Sequence, residues 1–144
     1  MSNAPPSPPG GHPAGLPFPN AITDAGAAHL VRLTRLEDLR LHHQALTDAA
    51  LAHFEGLKEL KELDLSDSAS ITGPGLTHLI GLPKLRRLEL SSTRVSNAAV
   101  PILKKLTQLE SFSLYHAKVS EAKIKELQRA LPKARVDGWP DQND

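Results

Sequence analysis

The sequence predicts an α/β solenoid: a short right-handed coil with parallel strands along a concave face and short helices along a convex one. Three observations carry that expectation. First, leucines recur on one beat, with Leu33, Leu57, Leu82, Leu106 and Leu131 following at steps of 24, 25, 24 and 25 residues. Three further ranks keep the same time: Leu36, Leu60, Leu85 and Leu109; then Leu39, Leu63, Leu88 and Phe112; then Leu41, Leu65, Leu90 and Leu114. A period of this length marks stacked supersecondary units, each burying its apolar face only against its neighbours. Second, every unit switches from strand-like to helix-like periodicity at the same place. Third, the core is built almost from one residue type, since 24 of 144 residues are leucine and only Phe18, Phe54, Phe112, Tyr115 and Trp139 are aromatic. Cysteine is absent, so no disulfide or thiolate metal site reinforces the stack.

Residues 1–20 read as a disordered or extended leader, because residues 1–19 hold seven of the twelve prolines and three of the nine glycines. Leu16 precedes Ile22 by six residues, as Leu65 precedes Ile71, which marks a degenerate echo of the repeat inside the leader. Pro17 and Pro19 then fall where a first strand would present its edge. Proline cannot donate to a ladder, so the leader is expected to blunt that edge. The repeat domain is expected over 21–136, with a half repeat at 22–32 and full repeats at 33–56, 57–81, 82–105 and 106–130. A C-terminal cap over 131–140 and a tail over 141–144 complete the chain.

Within a unit, Leu36 to Leu41 alternates so that Leu39 and Leu41 face one side and Asp38, Arg40 and His42 the other. That is a short strand with one buried face. The following stretch places Leu51, Phe54 and Leu57 three apart, the spacing of a short helix. Thr47 suits its N-cap, and Asp48 suits the positive end of its dipole. Thr23, Thr72, Ser96 and Ser120 are the equivalent caps. Small residues follow most of them (Ala25 and Gly26, Ala49 and Ala50, Pro74 and Gly75, Ala98 and Ala99), letting successive helices start close together. Pro74 falls in a first turn, where it is tolerated; Pro101 falls later and should distort its helix. In the fifth unit Asp137 stands where a core leucine belongs. A one-residue slip would turn Val136 inward and Asp137 to water, with Trp139 folding over the open end.

On these residues the chain resembles the leucine-rich repeat family over about residues 22–136. Leu46-Thr-Asp-Ala-Ala-Leu-Ala-His-Phe-Glu-Gly-Leu57 and Ile71-Thr-Gly-Pro-Gly-Leu-Thr-His-Leu-Ile-Gly-Leu82 look like the variety found in F-box-associated repeats and in many bacterial repeat proteins. The resemblance implies a binding surface on the strand face. The family's asparagine after the strand is replaced by Gln44, Ser68, Thr93 and Ala117, so a continuous asparagine ladder cannot form. The F-box helices that would recruit a ubiquitin ligase have no counterpart in the sequence, so a ligase-adaptor role would need them from a separate chain or a lost segment.

Charge and histidine placement narrow the function further. Residues 1–67 hold nine acids against five bases, and residues 68–144 seven acids against twelve bases. The basic end could attract nucleic acid. However, Lys104, Lys105, Lys123, Lys125 and Arg129 read as solvated helix faces with no interleaved aromatics, so nucleic acid is not the expected partner. His29, His53 and His78 share one place in three units and form a convex row. Neighbouring helices sit about 8–10 Å apart, too far for single imidazoles to meet on one zinc, and these histidines are expected to be partly buried instead. Ser91, Ser92, His42 and Asp64 share the concave region without a nucleophile elbow or a glycine-rich phosphate loop. No enzyme activity, cofactor, metal or small-molecule substrate is expected. No stretch approaches the roughly 20 apolar residues of a membrane span and no signal peptide is visible, so a cytoplasmic monomer is the expectation.

What remains is the concave face, with three expected rows: Asp38, Glu62, Arg87, Ser111; then Arg40, Asp64, Glu89, Ser113; then His42, Ser66, Ser91, Tyr115. Across strands, Arg40 should lie beside Asp64 and Glu62 beside Arg87. Tyr115 is the natural anchor, because binding hot spots favour aromatics and arginine. The reading is a non-catalytic protein-binding module. The alternatives are a scaffold fragment docking onto further repeats, or a substrate-recognition subunit of an F-box-like assembly. A weak nucleic-acid binder stands third.

Overall fold

The computed structural model describes residues 22–42 and 44–138. The leader over 1–20, the echo of the repeat at Leu16, His43 and the placing of Trp139 lie outside the described residues. Five strands, β1 Asp38–Arg40, β2 Glu62–Asp64, β3 Arg87–Glu89, β4 Ser111–Ser113 and β5 Arg135–Asp137, form one parallel sheet in chain order. Their middle residues align as Leu39, Leu63, Leu88, Phe112 and Val136, which are all buried. Leu41, Leu65, Leu90 and Leu114 form the next buried rank. After the strand the chain bends sharply, and Asp67, Ser92 and His116 take left-handed backbone at the same place in successive units, with φ of 61°, 57° and 58°.

The convex side is helical but irregular. α1 (Asp24–Ala27) and α2 (Asp48–Leu51) each tighten into 3-10 turns, Ala28–Arg32 and Ala52–Phe54. The third unit has only the 3-10 turn Pro74–Leu79. The fourth splits into Asn97–Ala99 and α3 (Val100–Leu103), with Pro101 in the first turn of α3, which is the distortion expected from its position. Only α4 (Glu121–Ala130) runs for ten residues.

Thr23, Thr47 and Ser96 cap as expected, accepting from the N–H groups of Gly26, Ala49 and Ala98. Two caps differ. Ser120 stands at the N-cap of α4 without a side-chain bond. Thr72 is displaced by Gly73, whose φ of 129° suits glycine, and the Thr72 hydroxyl donates to Asp48 instead.

That contact belongs to a ladder between units. Asp24 accepts from the N–H and hydroxyl of Thr47. Asp48 accepts from the N–H groups of Thr72, Gly73 and Gly75, and Asn97 from the N–H of Ser120 at 2.9 Å. Gly73 holds the equivalent place in the third unit and breaks the ladder. A Cβ there would lie 2.6 Å from that of Ala99, so the close packing of the fourth unit requires glycine.

The fifth unit slips as expected. Leu131 follows Leu106 by 25 residues but Val136 follows Phe112 by 24, so the return from helix to strand is one residue shorter. Val136 fills the core place and Asp137 pairs across from Ser113. Leu33 departs from its rank: its homologues are buried, but it is 49% exposed. No helix among the described residues is long and apolar enough to cross a membrane.

Candidate partner-binding face

Because the sheet buries only alternate residues, its other face presents rows running across the units. Strand register sets Asp38, Glu62, Arg87, Ser111 and Arg135 in the first row, and Arg40, Asp64, Glu89, Ser113 and Asp137 in the second. The first four members of each row stand in the expected order. Arg135 and Asp137 are additional members. The slip that buries Val136 was their sequence signal, since its two neighbours must then face as Ser111 and Ser113 do. The third row, His42, Ser66, Ser91 and Tyr115, lies just past the strands. Parallel spacing persists there, with Asp67 N–H donating to Ser91 C=O at 2.9 Å and Ser92 N–H to Tyr115 C=O at 2.7 Å.

The side chains form a connected ionic network at the N-terminal end of the face. Arg40 donates twice to Asp38, at 3.2 and 3.1 Å, and lies 3.8 Å from Glu62, which in turn pairs with Arg87 at 3.3 Å. The expected Glu62–Arg87 pair is present, whereas Arg40 takes Asp38 rather than Asp64. Residues two apart on one strand share a face, and a guanidinium meets a carboxylate best through two N–H groups. Asp64 is held instead by the N–H and hydroxyl of Ser66, at 2.9 and 2.6 Å, with His42 at 3.8 Å. The hydrogen bond and charge of Asp38 raise the Arg40 pKa further, with Glu62 and Asp64 adding to them.

The C-terminal end is quieter. Ser91 donates to Glu89 at 2.7 Å and meets the Ser113 hydroxyl at 2.8 Å. Ser113 was expected to be presented, but it is only 9% exposed beneath these neighbours. Arg135 pairs with Asp137 at 2.9 Å, which raises the Arg135 pKa. Tyr115 stands 41% exposed beside this serine floor, the one aromatic ring of Phe, Tyr or Trp type among the predicted site residues.

A shallow depression of about 170 Å³ lies over β1–β3, lined by Asp38, Arg40, Glu62, Leu63, Asp64, Arg87 and Glu89. Four carboxylates against two guanidinium groups make its lining net acidic. On the convex side His53 and His78 are half-buried, as expected, but His29 is exposed. His78 pairs with Glu55 across the unit boundary. Among the described residues no group of three or more metal-ligating side chains gathers.

Comparison with known proteins agrees with this geometry. The family model "Leucine rich repeat" matches residues 21–95, just over half of the 144-residue chain. No curated protein matches. Among solved structures, the fold is similar to an internalin of Listeria monocytogenes, with a TM-score of 0.62 and 20% identity over 78% of this chain. The chain spans only 31% of that internalin's length. Internalin C2 of the same organism gives a TM-score of 0.54 and 25% identity, over 87% of this chain and 62% of that one. The actin-binding site 2 of leiomodin-1 gives 0.60 at 11% identity, over 81% and 79% of the two chains. With the repeat beat, the wet-faced parallel sheet and the family match in agreement, the chain belongs to the leucine-rich repeat family.

Proposed function

We propose that this chain is a non-catalytic protein-recognition module that holds its partner on the concave strand face. The observation that carries the reading is the face itself: a five-stranded sheet with one side sealed in leucine and the other left open in ordered rows of charge. Leucine-rich repeat proteins are typically interaction modules, which supports the same reading. The ionic network prearranges the carboxylates over β1–β3, and its acidic excess suits a basic partner segment. Arg87, at the edge of that network, and Tyr115, beyond it, stand exposed and serve as anchors, since buried arginine and aromatic contacts dominate binding energy.

The test uses affinity capture by the full chain. Replacing Arg87 and Tyr115 together with alanine should weaken the captured partner by at least about tenfold, the loss expected of two hot-spot side chains. Lys105→Ala, on the convex side, should leave capture unchanged. A partner retained equally by the concave double variant would contradict the assignment.

A further inference from the structure

Past the concave rows the chain turns toward the helical side through a second, shorter set of parallel contacts. Single bridges join Thr23 to Ala45, Thr47 to Ser70 and Ser96 to Lys118. The Arg94 N–H donates to Ile71 C=O at 2.9 Å, just as the Lys118 N–H donates to Val95 C=O at 2.8 Å. Leu46, Ile71, Val95 and Val119 form another buried rank there. The residues before them, Ala45, Ser70, Arg94 and Lys118, form an exposed rank along the rim. Its first two places are small and neutral, and its last two are cationic.

At backbone level Arg94 and Lys118 stand about one strand spacing apart, roughly 4.8 Å, so their charges act together. Neither makes an ion pair among the described residues. Several other bases of the same units are engaged: Arg86 by Glu110, Lys104 and Lys123 by Glu126, and Lys125 by Glu121. The carboxylate that would neutralise the rim is missing from the fourth unit. Asp24 and Asp48, each directly after its cap, tie neighbouring units through their carboxylates. Asn97 fills that place beside Arg94 and makes the same kind of bond, to the Ser120 N–H at 2.9 Å, without a charge. The joint is kept and the negative charge is not.

Tyr115 and His116, both exposed, lead from the concave face to Lys118. An aromatic ring beside an exposed arginine has the composition of a binding hot spot. The surroundings favour a short anionic stretch over a continuous phosphate backbone. Glu89 and Asp137 lie on the concave side of the patch, so a polyanion crossing onto the face meets carboxylates. A few acidic side chains can end at the rim.

We propose that an acidic segment of a protein partner docks on this rim, its carboxylates meeting Arg94 and Lys118 beside Tyr115. The rim extends the concave face, so the proposal rests on the reading that this face holds a protein partner. It gives that partner a polarity, with basic groups over β1–β3 and acidic groups over the turns that follow β3 and β4. A partner laid the other way sets like charges together at both places, which selects one orientation.

Fluorescence anisotropy of a labelled oligoglutamate peptide with the full chain tests this. The peptide should bind at low ionic strength and dissociate as salt is added. Arg94→Ser with Lys118→Ser copies the side chain that Ser70 already places in this rank, which limits any cost to folding. It should weaken binding by about fivefold to tenfold, the loss of two exposed ion pairs. Lys105→Ser with Arg129→Ser removes the same net charge from the helical side and should change binding by less than about twofold, since distant charges are screened. No binding by the unaltered chain, equal losses in the two double variants, or tighter binding of oligothymidylate of equal charge overturns the proposal. None of these results touches the concave face itself, which the Arg87 and Tyr115 variant tests separately.

Discussion

Gln44, Ser68, Thr93 and Ala117 occupy one place in four successive units and meet their polar needs differently. Gln44 accepts from the N–H of Ile22 at 2.5 Å, linking two units, and Thr93 donates to the Leu90 carbonyl at 2.7 Å. The Ser68 hydroxyl is fully buried without a partner among the described residues. Removing an unpaired buried hydroxyl relieves its desolvation, so Ser68→Ala should hold or raise stability by up to about 1 kcal/mol in a urea melt. A loss above about 1 kcal/mol would mean that the hydroxyl is satisfied. Ser92 makes a different test, because its φ of 57° penalises bulk at Cβ. Ser92→Val should destabilise by about 1–2 kcal/mol in thermal denaturation, whereas Ser92→Gly should not. At this scale the sequence speaks clearly of direction and poorly of partner. Alternation settled which way Arg40 points, but its choice of Asp38 over Asp64 depends on rotamers and on Ser66 holding Asp64, which no spacing reveals. The cover over Ser113 is likewise set by Ser91 and Glu89 from the neighbouring strand.

At the scale of elements, units are joined by side chains reaching back to the next cap. Asp48 is the richest of these joints, and Asp48→Ala would leave several N–H groups of the third unit without their acceptor. It should cost about 1–3 kcal/mol by urea denaturation, with Asp48→Asn losing less. A second joint links the helical sides of the fourth and fifth units, where Glu126 meets both Lys104 and Lys123. Hydrogen bonds from these two ammonium groups hold the Glu126 pKa down from 4.5 to about 2. A carboxylate depressed in the folded state stabilises above its unfolded value, and that contribution disappears as pH falls from about 4.5 toward 2. Glu126→Gln should therefore flatten the stability profile across that window and leave its shape at neutral pH unchanged. The caps Thr23, Thr47 and Ser96 were legible because a hydroxyl before an apolar triplet has one efficient use. Thr72 was not, because the positive φ of Gly73 moves the start of the turn one residue on and takes the N-cap place from Thr72. Helix type was also hidden, since units this tightly stacked leave room for little beyond single turns, and only α4, at the end of the helical series, extends further.

For the whole molecule, the repeat beat placed every strand in order and register before any contact was known. It was least informative at the ends, where the exposure of Leu33 does not follow from the pattern. β5 itself is structural, since it covers Phe112 with Val136. Deleting residues 131–144 should therefore produce aggregation or a loss of cooperative melting, and a soluble product of equal stability would show that the fifth strand is dispensable. The central claim is that one beat divides each strand into a residue that builds the core and neighbours that are presented. Equilibrium urea unfolding of Glu62→Ala, Leu63→Ala and Asp64→Ala, three consecutive residues of β2, tests it most directly. Leu63 lies between Leu39 and Leu88 in the buried rank, so its truncation should cost about 2–5 kcal/mol, while either carboxylate should cost under about 1 kcal/mol. A loss at Leu63 below about 1 kcal/mol, or equal losses at all three, would contradict the register on which the face rests.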